Sequence, residues 1–148
     1  MESITSYMQQ DHVLIDGIAA RAVATAQAGD WAGLEREGGE FLRRLRQHIE
    51  VEEEVLFPAF EQRTGMSAGG PSAQMRAEHE QMQPILARMQ AAIGAQDAAG
   101  YKIASQALFD ILVPHNQKEE QMMYPMLDQA AGEDAPALLA GAQAALSA

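Results

Sequence analysis

The four histidines of the chain, His12, His48, His79 and His115, repeat at one interval: His12 and His79 stand 67 residues apart, as do His48 and His115. Glu52 follows His48 by four residues, and Glu119 follows His115 by four. Four residues turn an α-helix by about 400°, which leaves each His–Glu pair about 40° apart on one face. Imidazole nitrogens and carboxylate oxygens so presented are donors for iron, manganese or zinc. Cysteine is absent, so disulfides, thiolate zinc sites, cysteine-ligated iron–sulfur clusters and cysteine nucleophiles are excluded.

The histidine interval belongs to a repeat of the whole chain. At the same shift Glu53 meets Glu120, Pro58 meets Pro125, Ile18 meets Ile85, Arg21 meets Arg88, Asp30 meets Asp97 and Gly33 meets Gly100. Ala, Met, Leu, Gln and Glu dominate a composition with 5% aromatics, which favours helix over sheet. The pattern predicts a helix from about Ile4 to Ala28, and a second, capped by Asp30, to about Arg63. A third starts near Ser72 or Ala73 and ends near Ala95. A fourth, capped by Asp97, runs to about Gln129. The turn-rich TGMSAGGPS (64–72) links the halves. The expected fold is all-α: an up-down four-helix bundle of two pseudo-symmetric hairpins over 1–130, with a tail or short fifth helix over 131–148 packed on the same domain.

Several residues serve this fold alone. Leu42, Leu45, Ile49 and Leu56, and Leu108, Ile111 and Leu112, recur at helical spacing. The Met75, Met82, Met89 stripe is read as core filling. Pro58 and Pro125 fall inside helices and are expected to kink them alike. Gly38 and Gly39, inside the second helix, imply close packing of a neighbour, with an opening for small molecules as the alternative.

The bundle sets the depth of the histidines. His12 and His48 lie 18 residues either side of Asp30, and His79 and His115 lie 18 either side of Asp97. At about 1.5 Å per residue, all four stand about 27 Å from their turns. A single buried histidine is usually a hydrogen-bonded core residue, and one HxxxE is common. Four histidines and two inward glutamates at one depth are different, because the carboxylates would repel and suffer desolvation without a cation. The expected metal ligands are therefore His12, His48, Glu52, His79, His115 and Glu119. Their number fits two ions, each with two histidines and both glutamates bridging. An oxo or hydroxo bridge would leave about one open position per ion. Iron is favoured over manganese or zinc, since redox use of an open position needs a change of valence. Glu53 and Glu120, one residue further on, should face elsewhere. Asp11, Asp16, Glu78 and Gln83 are candidates for accepting an imidazole N–H. Tyr7 and Tyr124 either line the site or pack beside it.

DHVLID (11–16), HIEVEEEVLFP (48–58), EHEQM (78–82) and HNQKEEQMMYP (115–125) together resemble the hemerythrin-like, or HHE cation-binding, family over roughly residues 5–130. Oxygen-carrying hemerythrins have HxxxH on the third helix and an Asp five residues after the last histidine. This chain has Gln83 and Glu120 there. Its set is similar instead to the di-iron domain of iron–sulfur cluster repair proteins, with four histidines and two bridging glutamates. The small cysteine-bearing domain that often precedes that bundle has no counterpart in this sequence. Ferritin-like ExxH spacing is missing around the histidines. The resemblance implies a non-haem di-iron protein that binds or reduces a small ligand such as O2, NO or peroxide under oxidative or nitrosative stress. The alternatives are O2 or NO storage or sensing, and iron donation to a damaged iron–sulfur protein. A redox partner is implied if the site turns over.

Composition narrows the partners. A net charge of −11 and a pI near 4.6 oppose nucleic acid and anionic lipid. Arg43, Arg44 and Arg46 read as a solvated helix face. No signal peptide or membrane-length apolar run is visible, so the expected location is the cytoplasm.

Overall fold

A computed structural model describes residues 2–147. Helix α1 spans Ile4–Gln27 and α2 spans Trp31–Val51. A π-helical segment, Glu52–Leu56, joins α2 to α3 (Phe57–Thr64). The second half repeats this with α4 (Pro71–Gly94), α5 (Ala98–Lys118), a π segment Glu119–Met123 and α6 (Tyr124–Ala131). Helix α7 (Ala135–Ser147) closes the chain. Four long rods result, the second and fourth each an α–π–α composite.

The hairpin turns show how the repeat folds. Asp30 and Asp97 cap α2 and α5, each accepting the backbone N–H of the residue three further on at 2.9 Å. Those donors are Gly33 and Gly100, where a β-carbon would come within 2.3 Å of the capping carboxylate. The repeated Asp-x-x-Gly is thus a steric match between cap and glycine. The preceding turns need a left-handed residue, and the halves differ there: Gly29 has φ +69° and its counterpart Gln96 has φ +55°.

Packing follows the predicted stripes. The helices of each hairpin pack along their length, α2 lies against α4, and α1 against α5. Gly38 faces Ile93 on α4, and a β-carbon there would approach Ile93 Cδ1 to 2.8 Å. Nothing lies within 4 Å of a β-carbon at Gly39, so only Gly38 serves close packing. Met75, Met82 and Met89 are fully buried. The core divides into two apolar clusters. One runs from Ile15, Leu45, Leu86 and Leu108 toward the hairpin turns. The other holds Met8, Phe57, Met75 and Leu127 at the opposite end, with Leu139, Ala142 and Leu146 of α7. His12, His79 and His115 fall in sequence between the two sets, and His48 lies at the edge of the first, just before Ile49.

The prolines behave differently from the expected simple kink. Each π segment ends with a backbone N–H reaching back five residues, Phe57 to Glu52 and Tyr124 to Glu119. Pro58 and Pro125 follow directly. The shift of register in the turn before the proline relaxes the clash that its ring would cause in an α-helix. Pro84 and Pro114, which the hydrophobic pattern does not single out, stand inside α4 and α5 on exposed faces. There water can satisfy the freed carbonyls.

Replacing the left-handed Gln96 by glycine relieves its backbone strain. Gln96→Gly is expected to raise unfolding stability by about 1 kcal/mol, read from urea denaturation. An unchanged or lower midpoint would contradict the strain at this turn.

Candidate metal centre

Each rod delivers one histidine to the layer between the apolar clusters, and the second and fourth add one glutamate each. His12, His48, His79 and His115 are 1–4% exposed, and Glu52 and Glu119 are 0% exposed. His12 and His48 face each other, Nε2 to Nε2, at 3.1 Å. The His79 and His115 rings lie 4.8 Å apart between centroids. Both glutamates straddle the halves. Glu119 Oε1 is 3.1 Å from His12 Nε2 and its Oε2 is 3.3 Å from His115 Nε2. Glu52 Oε1 is 3.2 Å from His79 Nε2 and its Oε2 is 3.7 Å from His48 Nε2. The structure thus brings together all six residues that the sequence singled out.

The outer nitrogens explain why the inner ones are available. His48 Nδ1 donates to Asp11 at 2.7 Å and His115 Nδ1 to Glu78 at 2.8 Å. His12 Nδ1 donates to Glu120 at 2.7 Å and His79 Nδ1 to Glu53 at 2.8 Å. A proton held on Nδ1 turns the Nε2 lone pair inward. Asp11 and Glu78 are where the sequence placed them, and they are related by the repeat. Glu53 and Glu120 correct the expectation that they face away from the site. A residue about 140° round one helix faces the adjoining helix, and here that helix carries a histidine. Asp16 and Gln83 are exposed and form none of the four imidazole contacts.

Further out, cations hold three of these carboxylates. Arg44 donates to Asp11 at 3.1 Å, Arg76 to Glu53 at 3.1 Å, and Lys118 to Glu78. Arg44 therefore does more than solvate a helix face, as expected of it from the sequence. The signal for it, an arginine one turn before His48, is indistinguishable from surface charge without knowing which helix lies opposite. Tyr124 lines the site. Its hydroxyl donates to Glu52 Oε2 at 2.6 Å and to Glu119 Oε1 at 2.9 Å as alternative acceptors. Tyr7 is half-buried against the second apolar cluster.

The electrostatics are those of a cation site filled by protons. Burial pushes the His48 imidazole toward neutrality, but the charge of Glu52 and hydrogen bonds to Asp11 and Glu52 outweigh it and lift its pKa to about 10. Burial likewise opposes charge on His115, and Glu119 and Glu78 lift it to about 9. Burial works against ionisation of Glu52, yet the charge of His48 and its hydrogen bonds hold that carboxyl well below its usual range. Three buried atoms, Glu52 Oε1, His79 Nε2 and Glu119 Oε2, make ion-pair approaches of 3.2–3.3 Å but no well-aligned hydrogen bond. All three face one another in the His79–His115 half. Buried polar atoms left so are costly, and a cation at that spot satisfies them together. Glu52, His79, His115 and Glu119 present ligand atoms within 4.8 Å of one another, and so do His12, His48 and Glu119. The residues present therefore fit bound metal, with oxygen and imidazole donors only.

A family model described as the hemerythrin HHE cation-binding domain matches residues 3–127. No curated protein and no solved structure matches the chain. Among the described residues, no helix is long and apolar enough to cross a membrane.

The raised histidine pKa values fix a pH dependence. A folded-state pKa above the ordinary 6.5 contributes stability that is complete below about pH 6.5 and lost as pH rises through the folded value. The metal-free protein is therefore expected to lose thermal stability between pH 6.5 and 10, and metal uptake at pH 7 to release protons. Thermal melts and binding in two buffers of different ionisation enthalpy check this. A flat profile, or uptake without proton release, would contradict it.

Proposed function

The chain belongs to the hemerythrin HHE cation-binding family, and from that premise we propose that its six buried donors hold two iron ions and bind or reduce a small ligand. The observation that carries this reading is the span of the glutamates. Each of Glu52 and Glu119 has one carboxylate oxygen beside a histidine of either half. Two ions bridged by both carboxylates would engage all four carboxylate oxygens, which a single ion on one side would leave half unused. His12 and His48 serve one ion, His79 and His115 the other. Manganese and zinc suit the donors too; zinc does not change valence, and iron is favoured over manganese for binding O2 and NO at an open position. A bridged di-iron pair supplies electrons and adjacent coordination positions about 3.5–4 Å apart.

The chain's own residues do the rest. Asp11, Glu53, Glu78 and Glu120 orient the imidazoles and raise their basicity as donors. The apolar clusters above and below exclude bulk water. With the ligating side chains at 0–4% exposure, only a ligand of a few atoms reaches them. The stress-response role follows from the ligands proposed, and turnover needs an external electron donor. The four-histidine, two-glutamate set also supports a second reading, iron donation to damaged iron–sulfur proteins, because the repair-protein domain it resembles carries the same set. Reversible O2 or NO storage uses the same site without electron supply.

Loading with ferrous iron, elemental analysis and visible spectra before and after O2, NO and peroxide separate these readings. An O2 adduct that releases on degassing marks a carrier, rapid peroxide loss marks an enzyme, and iron transfer to an apo cluster protein marks repair. A loaded protein that does none of these sinks all three. Because each glutamate reaches both halves, Glu52→Ala and Glu119→Ala are each expected to halve the metal content or worse. Full loading of either variant would contradict the bridging role.

A further inference from the structure

The repeat aligns Tyr124 with Phe57, and this is where the two halves of the centre part. Each is the first residue after a π segment and each is fully buried. The Phe57 ring stacks on His79, with centroids 5.8 Å apart and planes at 15°. The Arg76 guanidinium also lies over this ring, 5.4 Å from its centroid. Phe57 therefore packs and offers no donor. Tyr124 places an oxygen among the inward donors of the other half. That oxygen lies 3.3 Å from Nε2 of both His12 and His48. It lies 2.6 Å from Glu52 Oε2 and 2.9 Å from Glu119 Oε1.

These separations have a meaning in coordination chemistry. Nitrogen and oxygen donors sit about 2.1 Å from a first-row metal ion, so neighbouring donors at right angles are about 3.0 Å apart. An oxygen 2.6–3.3 Å from four such donors stands at the spacing of a fifth ligand on the same ion. In the Phe57 half, by contrast, no hydroxyl joins the inward donors, and Glu52 Oε1, His79 Nε2 and Glu119 Oε2 meet only ion-pair neighbours, at 3.2 Å between Glu52 and His79 and 3.3 Å between Glu119 and His115. We infer that Tyr124 ligates the His12–His48 ion through its phenol oxygen and thereby confines small-ligand binding to the His79–His115 ion. This rests on the di-iron reading above. On binding, the O–H bond is replaced by an O–metal bond and the proton passes to bulk water. The two metal positions are then unequal by construction. One has two histidines, shared glutamates and a phenolate. The other has two histidines, shared glutamates and a vacancy beside an aromatic ring.

The ferric-loaded full chain tests this without any activity assay. Phenolate bound to ferric iron gives a visible charge-transfer band and resonance-enhanced ring modes in the Raman spectrum. Wild-type protein is expected to show both, and Tyr124→Phe to lose both while keeping its iron. The chain has three tyrosines, so the Tyr7→Phe, Tyr101→Phe double variant leaves Tyr124 alone and must retain the signal. That variant decides the matter if Tyr124→Phe fails to fold. Azide added to the ferric wild type is expected to bind with the phenolate modes still present. Iron-loaded protein without phenolate modes, modes that survive Tyr124→Phe, or modes abolished by azide would each overturn the assignment. Failure of the wild type to load iron would instead sink the di-iron reading on which it rests.

Discussion

Two carboxylates and four imidazole lone pairs face one another in a layer that water does not reach, and this arrangement requires positive charge. Dry protein offers little screening, so unmatched anions there are among the most expensive features a fold can carry. In the metal-free state protons supply the charge, held on histidines whose pKa values reach about 9 and 10. Metal ions supply it better, since each replaces protons with a higher charge at the focus of several donors. The remaining design follows. An outer ring of Asp11, Glu53, Glu78 and Glu120 turns each imidazole inward. Arg44, Arg76 and Lys118 then offset much of that ring's own charge.

The bundle brings this layer together cheaply because the chain is a repeat. One hairpin places two histidines at equal depth, and its copy places two more. The π segments are part of the same economy. Each begins at a glutamate of the centre and ends one residue short of a proline, so the wider turn lies where the carboxylate reaches both halves. The symmetry is broken at few places, and those are informative. Gln96 in place of Gly29 is a strained turn with no visible role. Tyr124 in place of Phe57 adds a polar atom to the centre itself.

Most of this architecture was legible from residue spacing. The 67-residue interval, the Asp caps and the equal distances from the turns fixed the helices and the depth of the six donors. The family model, which covers residues 3–127, agrees with the fold so read. What escaped depended on the relation between helices. The angle of Glu53 from His48 on its own helix points away, yet α4 lies in that direction and carries His79. Asp16 and Gln83 sit one turn from a histidine, like Glu52 and Glu119, but their helices present that position to solvent. The π register and the position of the Tyr124 hydroxyl arise from backbone geometry that periodicity does not encode.

The central claim is that the glutamates span two bound cations. Anomalous diffraction from an iron-loaded crystal, collected either side of the iron absorption edge, tests it most directly. Two peaks are expected about 3.5–4 Å apart, one beside His12 and His48, the other beside His79 and His115, with Glu52 and Glu119 touching both. A single peak, or iron bound outside this layer, would contradict the account.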